Sequence, residues 1–472
     1  MLNIKSFFVG IVAISLIFFG FCVFAQTNNL VVVYPQNNAS INASSTFFVG
    51  HTNPNATLTI NGAPVKVYSN GSFVRVFNLH KGKNNVVLRS YLNNIPVTKQ
   101  FTINVPTSAK RGATVVKPVF RPMNAAFEVI SDETPLRTSP YVGRLTPVKK
   151  GVIIKSLGVL DNHHKVDLGN NKFAYVSQKA VSDIPVNKCE NQILQKIIFN
   201  EDMKDIIIKI PVRQPVLVEL MQKKNRLTVR LVGTNLSFDK YYTKSPYIED
   251  FSYESDNFTI DIATNELNGF DYQYINNIFE LRIRKPFTRG LRGKIIAIDA
   301  GHGGKECGSI GPTEIPEKDI NLAISKFLKE KLEQKGAKVI MTRKSDEYVG
   351  IYERIDIAKA ANADVLISIH NNALPDGQNP YVVHGTSTYY YHPQALALAN
   401  AVQKKLLNYT GFKDHGVKHG SLALARPTLP VSILIEVGFM INPFEYAALL
   451  NVDNQKAYAQ GICEGLQLYF SN

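Results

Sequence analysis

Three short apolar runs each end in a side chain that can bind a metal ion or carry a proton. "KIIAIDAG" is followed by His302, "DVLISI" by His370, and "VSILI" by Glu436. Imidazole nitrogen and carboxylate oxygen suit Zn²⁺, and three such protein ligands leave a fourth position open for water. A third ligand should come from near His302, where "GPTEIPEKDINL" offers Glu314 and Glu317, with Glu306 further off. Glu317 is preferred, because it opens a helical segment whose preceding loop returns from His302. The chemistry such a set supports is hydrolysis by activated water, with a further carboxylate moving the proton.

Those residues need a scaffold that brings three strand ends to one rim. From Gly293 onward, short apolar strands alternate with segments of helical period, the signature of an α/β domain with a largely parallel sheet. "KIIAIDA" precedes a helix from about Glu317 to Gln334, whose Ile320, Ala323, Ile324, Phe327, Leu328 and Leu332 form one apolar stripe. "AKVIMT", "YERIDIAKAA", "DVLISIH", "PQALALANAVQKKLL" and "VSILIEV" continue the alternation, and two helices close the chain. In such sheets, ligands bind outside the carboxyl ends of the strands, where the three side chains are expected.

The other residues are strand and turn. A chain of 472 residues exceeds what one core normally supports, so several domains are expected. Three β-rich modules are read ahead of the α/β domain. Residues 28–105 contain "VKVYSNGSFVRVF", alternating apolar and polar about Asn70-Gly71, a hairpin signal. The segment resembles the small immunoglobulin-like sandwiches of secreted bacterial proteins. Residues 106–125 lack periodicity and read as a linker. Residues 126–184, with "LRTSPYVGRLTPVKKGVIIKSLG", resemble a bacterial SH3-like barrel, although that family's tryptophans are absent; His164 and Tyr175 fall near their places. Residues 186–285 are again β-rich and resemble, more distantly, the wall-targeting β-sandwiches that precede some cell-wall enzymes. "PFTRGLR" is read as the last linker.

The formal charge of +15 is uneven. From Gly293 to the end, 18 basic residues balance 18 acidic ones, so the whole excess lies upstream, as suits docking on an anionic surface. No zinc-finger spacing, arginine-rich helix or aromatic-interleaved basic patch argues for nucleic acid. Residues 1–25 read as a secretory signal peptide: Lys5, then "FFVGIVAISLIFFGFCVF", then Ala25 before Gln26. The protein is therefore expected to be exported, to a periplasm or the cell wall. Removal of that segment leaves Cys189, Cys307 and Cys463, an odd set without C-x-x-C spacing, so any metal must rest on histidines and carboxylates.

"IDAGHGG", "PEKDINLAI", "MTRKSDEYVGIYERIDIAKAANADVLISIHNNA", "GTSTYYY" and "LPVSILIEVGFMIN" follow in order through residues 293–472. Together they resemble the zinc-dependent N-acetylmuramoyl-L-alanine amidases of bacterial cell walls. The resemblance implies a twisted, mostly parallel sheet flanked by helices, zinc held by His302, Glu317 and His370, and Glu436 as the catalytic carboxylate. It also implies peptidoglycan as substrate, cut between N-acetylmuramic acid and the L-alanine of the stem peptide. A different zinc peptidoglycan peptidase, or a non-catalytic wall-binding protein, are the alternatives. Asn372 and Arg426 are weaker candidates for substrate binding, whereas Arg343 and Arg354 read as structural ion pairs. His384, His392, His415 and His419 read as polar loop residues. Some members of that family carry a helical insert that blocks the zinc; residues 371–384 are short and loop-like here, so no separate activator is expected. Oligomeric state is not legible in the sequence.

Overall fold

The computed structural model describes residues 28–107, 119–169, 171–239 and 245–471. The expected signal peptide lies outside the described residues. No helix among the described residues is long and apolar enough to cross a membrane.

The C-terminal domain is built on six strands: β1 (Ile295–Ala300), β2 (Lys338–Met341), β3 (Val365–Asn372), β4 (Thr386–Tyr390), β5 (Asp414–His419) and β6 (Val431–Phe439). They lie in the order β2-β1-β3-β6-β4-β5. The β2, β1, β3 and β6 strands run parallel, and the β4–β5 pair runs against them. Helices α1 (Glu317–Gln334), α2 (Ile351–Ala360), α3 (Leu396–Thr410), α4 (Pro443–Leu450) and α5 (Val452–Tyr469) cover the sheet. Ile296, Ile298, Ile367, Ile369, Ile433 and Ile435 face α1, α3 and α5 in one large core. Ala297, Leu366 and Leu434 face the α2 side in a smaller one. Burial on both faces explains why these strands read as continuous apolar runs rather than alternating ones. One strand departs from the sequence reading: "DHGVKH", taken as loop with its polar histidines, is edge strand β5. An edge strand is held mainly by backbone pairing with β4, so it needs little apolar pattern.

Upstream, residues 28–105 pair into a three-stranded and a four-stranded sheet around Phe48, Phe73, Leu58, Leu88 and Ile103. The Asn70-Gly71 turn forms, with Gly71 N–H donating to Tyr68 O at 2.8 Å. The strand after it, Ser72–Asn78, nevertheless pairs along its length with Ser45–Thr52, and Tyr68 N–H to Ser72 O at 2.9 Å joins it to the residues before the turn. The expected hairpin is thus split between two sheets, because both flanking segments bury side chains in the space between the layers.

A five-stranded sheet follows, and its first strand, Arg121–Val129, starts inside the segment expected as linker. Its ladder to Ile153–Leu160 is interrupted at Pro122–Ala125, which hides the strand's period in the sequence. His164 is buried here, with its ring 3.8 Å from that of Phe127.

Residues 192–284 form two four-stranded sheets and a two-stranded parallel pair around a core that includes Ile208, Val229, Phe258 and Leu281. Arg284 at their end is 2% exposed. It donates to Asp205 Oδ1 at 2.6 Å and also to Asp364, at the entry of β3, so a buried ion cluster welds this module to the α/β domain. Arg284→Ala would leave two buried carboxylates short of a partner. We expect a loss of about 3–5 kcal/mol, read as a lowered unfolding midpoint in denaturant; a loss under about 1 kcal/mol would mean that water compensates the cluster.

Candidate metal centre

The site begins with how β1 ends. After Ala300 the chain makes one more ladder bond, Gly301 N–H to Ile369 O at 3.0 Å, and His302 then turns with φ 60°. Few residues other than glycine adopt that left-handed conformation, and such strain persists only where the surroundings enforce it. Here Arg354 donates to His302 O at 2.8 Å. Two glycines are required by close approach: a Cβ on Gly301 would overlap the His370 ring, and one on Gly308 would overlap Glu317 and His302.

The first turn of α1 supplies Glu317, and the end of β3 supplies His370. His370 Nδ1 lies 3.0 Å from Glu317 Oε1, and His302 Nε2 lies 3.3 Å from Glu317 Oε2. One donor atom from each of the three residues falls within 4.8 Å of the others. Ligands about 2.0–2.1 Å from a tetrahedral zinc sit ~3.3 Å apart, so the donor set suits that ion in kind, with its three atoms gathered somewhat more loosely. Glu317 is held in place by Asn321 Nδ2 at 3.1 Å, Asn371 N–H at 3.1 Å and Ser309 N–H at 2.9 Å. Burial alone would push its carboxyl up, but the hydrogen bonds and charge of His302 and His370 outweigh burial and hold it far below the usual carboxylate range. Of the alternatives weighed from sequence, Glu306 is exposed, and Glu314 is exposed and turned toward His51, 4.0 Å away.

Glu436 stands directly opposite His370 in the β3–β6 ladder, on the same side of the sheet. The residue keeps some exposed surface, yet its Oε2 is covered and has no hydrogen-bond partner. Burial pushes its pKa up to about 8; the negative charge of Glu317 adds to this, and His370 and Lys418 oppose it. A carboxyl with that affinity exchanges a proton near neutral pH.

Beneath the centre, Asp299 is fully buried and accepts from Thr342 at 2.6 Å, Ser368 at 2.7 Å and Arg354 at 2.7 Å. Arg343 donates to four backbone carbonyls, Ala300, Gly301, Lys318 and Ser345, at 2.8–3.0 Å. Both arginines thus brace the loop that carries His302. Asn372 Oδ1 accepts from Ala373 N–H at 2.8 Å, a local loop contact. Arg426 is not among the converging groups; it lines a separate cavity. His384 pairs with Glu445 at 2.7 Å. Sequence reading missed Lys418, whose charge reaches Glu436, and Ser387, whose buried, unpartnered Oγ stands in register with Glu436. Their signal was the β4–β5 pairing, which has no local signature.

The first β module reaches this region as well. Asp376, in the loop after His370, accepts from Tyr34 at 2.6 Å and Thr46 at 2.7 Å. Tyr381 donates to Val74 O at 2.7 Å, and His51 Nδ1 lies 2.9 Å from Pro312 O. Phe47, Val49 and Val74 pack against Ile441 and Leu374. Two loops flanking the candidate metal centre are therefore tied to the first β module.

Residues 296–468 match the family described as N-acetylmuramoyl-L-alanine amidase. The YqiI protein of Bacillus subtilis strain 168 is 33% identical over 184 residues, which cover 38% of this chain and 86% of that protein. A probable cell wall amidase of Staphylococcus aureus, LytH, is 33% identical over 183 residues, covering 38% of this chain and 60% of that protein. Among solved structures, the catalytic domain of CwlV, an N-acetylmuramoyl-L-alanine amidase from Bacillus (Paenibacillus) polymyxa var. colistinus, is 34% identical. That alignment covers 37% of this chain and 97% of that one, with a TM-score of 0.36. Through its C-terminal α/β domain, the chain belongs to the N-acetylmuramoyl-L-alanine amidase family.

Proposed function

We propose that this peptidoglycan amidase is an exported zinc hydrolase that cuts the amide joining the lactyl carbonyl of N-acetylmuramic acid to the α-amino group of L-alanine. His302 through Nε2, His370 through Nδ1 and Glu317 through its carboxylate would hold the ion. A zinc ion so held supplies a Lewis acid for the amide carbonyl and lowers the pKa of water toward ~7. Glu436 takes the proton of the attacking water and returns it to the departing nitrogen. Oxygen adds to the carbonyl carbon, the C–N bond breaks, and the products are a lactyl carboxylate and a free alanine amine. The observation that carries this reading is the convergence of the three donors, 3.0 and 3.3 Å apart, beside a carboxyl whose Oε2 has no partner of its own.

The Ig-like, SH3-like and wall-targeting-like readings of the upstream modules fit an enzyme kept near an anionic wall, with the chain's positive excess on their side. The tie between the first module and Asp376 supports a site that works without a separate activator.

The test is purified protein on intact sacculi, with and without chelator, followed by mass spectrometry of the released fragments. We expect free alanine amino termini and lactyl acids, both abolished by chelator and restored by zinc. Shortened peptides still attached to muramic acid would instead identify a peptidase.

A further inference from the structure

A cavity of about 1020 Å³ lies where the second module, the third module and the α/β domain meet. Arg144 of the second module and Arg426 of the α/β domain both face it, with Phe173, Tyr352, Tyr391 and His392 in its walls. Its other charges are largely spoken for. Glu133 and Asp271 pair with Lys149 and Lys359, and Glu219 pairs with Arg230. What remains is Arg144, Arg426 and Lys172 against Asp132 and Asp356, an excess of one positive charge. Among the described residues, neither arginine has a carboxylate within 4.0 Å. Arg426 Nε is buried without any hydrogen-bond partner. Burial first, and then the neighbouring charge of Arg144, hold the Arg426 guanidinium below its ordinary range. Two half-buried like charges facing one partly open cavity, neither with a carboxylate in reach, favour a bound anion, and the guanidinium fork matches a carboxylate.

The β4 strand connects this cavity with the metal centre. Ser387 stands opposite Glu436, Tyr389 opposite Leu434 and Lys418, and alternation puts Tyr391, which lines the cavity, on that same side. From Ser387 to Tyr391 is four residues, about 13 Å at ~3.3 Å per residue. An extended peptide covers that distance in about four residues. We propose that Arg144 and Arg426 together form a subsite for the terminal carboxylate of the peptide being released, about four residues from the bond that is cut. A module outside the α/β domain would then help to select peptide length and end group. The inference rests on the amidase reading above.

The zinc-loaded, full-length mature protein is assayed on N-acetylmuramoyl tetrapeptide ending in a free carboxylate, on its C-terminal carboxamide, and on N-acetylmuramoyl dipeptide. The wild type is expected to prefer the acid over the amide by about tenfold to a hundredfold in kcat/KM, the range of a charge-assisted contact. The dipeptide acid, too short to reach, should gain no such advantage over its own amide. Arg144→Gln and Arg426→Gln should each bring the tetrapeptide preference to within about threefold of unity. Equal wild-type rates on acid and amide overturn the subsite without any variant having to fold, and so does either variant keeping the preference. Failure of the wild type to release lactyl acid from any of the three overturns the amidase reading itself.

Discussion

Glu436→Gln should retain one equivalent of zinc and lose about 10²–10⁴-fold in turnover on sacculi, because in the proposed mechanism the change removes a proton carrier and leaves the three donors in place. Metal content and initial rate check this directly; a variant that lost zinc would mean that base and ligand have been exchanged in the assignment. The same variant has a second, opposite effect on stability. In the metal-free protein, burial pushes Glu436 up to about 8 from an ordinary 4.5. Between those pH values the folded chain keeps the proton that the unfolded chain has released, so wild-type stability falls as pH rises through the window. The total is on the order of 5 kcal/mol. Glutamine has no proton to lose, so chelated Glu436→Gln should unfold above the wild type at pH 8, with the gap narrowing toward pH 5. A gap that does not change with pH would show that Glu436 ionises normally.

Glu317→Ala should abolish stoichiometric zinc binding and activity together. It removes the one ligand that both histidines contact, and in the metal-free protein it leaves their ring nitrogens without their carboxylate. Asn321→Ala offers a graded comparison. Asn321 donates to Glu317 Oε1 at 3.1 Å and to Gly301 O at 3.2 Å, so it orients a ligand without being one. Loss of such an outer partner typically lowers metal affinity about 10–100-fold. Titration with a chelator of known affinity should therefore rank wild type above Asn321→Ala above Glu317→Ala. Glu314→Ala, which alters an exposed side chain turned toward His51, should bind as the wild type does. Unchanged affinity in Glu317→Ala would remove that residue from the centre and return attention to Glu306 and Glu314.

What the sequence by itself determined was local in origin. Strands buried on both faces must be apolar runs, so the ends of β1, β3 and β6 were visible as the points where polarity returns. A helix with one packed face repeats every 3.6 residues, which placed Glu317 at the first turn of α1. Together these rules picked out His302, Glu317, His370 and Glu436 before any packing was known.

The tertiary structure alone decided what lies around them. Tyr34 and Asp376 are 342 residues apart and still share a 2.6 Å hydrogen bond. Arg284 reaches Asp364 from another module, Arg144 and Arg426 meet across a cavity, and Lys418 approaches Glu436 only because an edge strand of weak pattern pairs with β4. Periodicity reports which face of an element is buried. It carries no information about which distant surface covers that face, since the choice depends on shape and charge summed over many side chains.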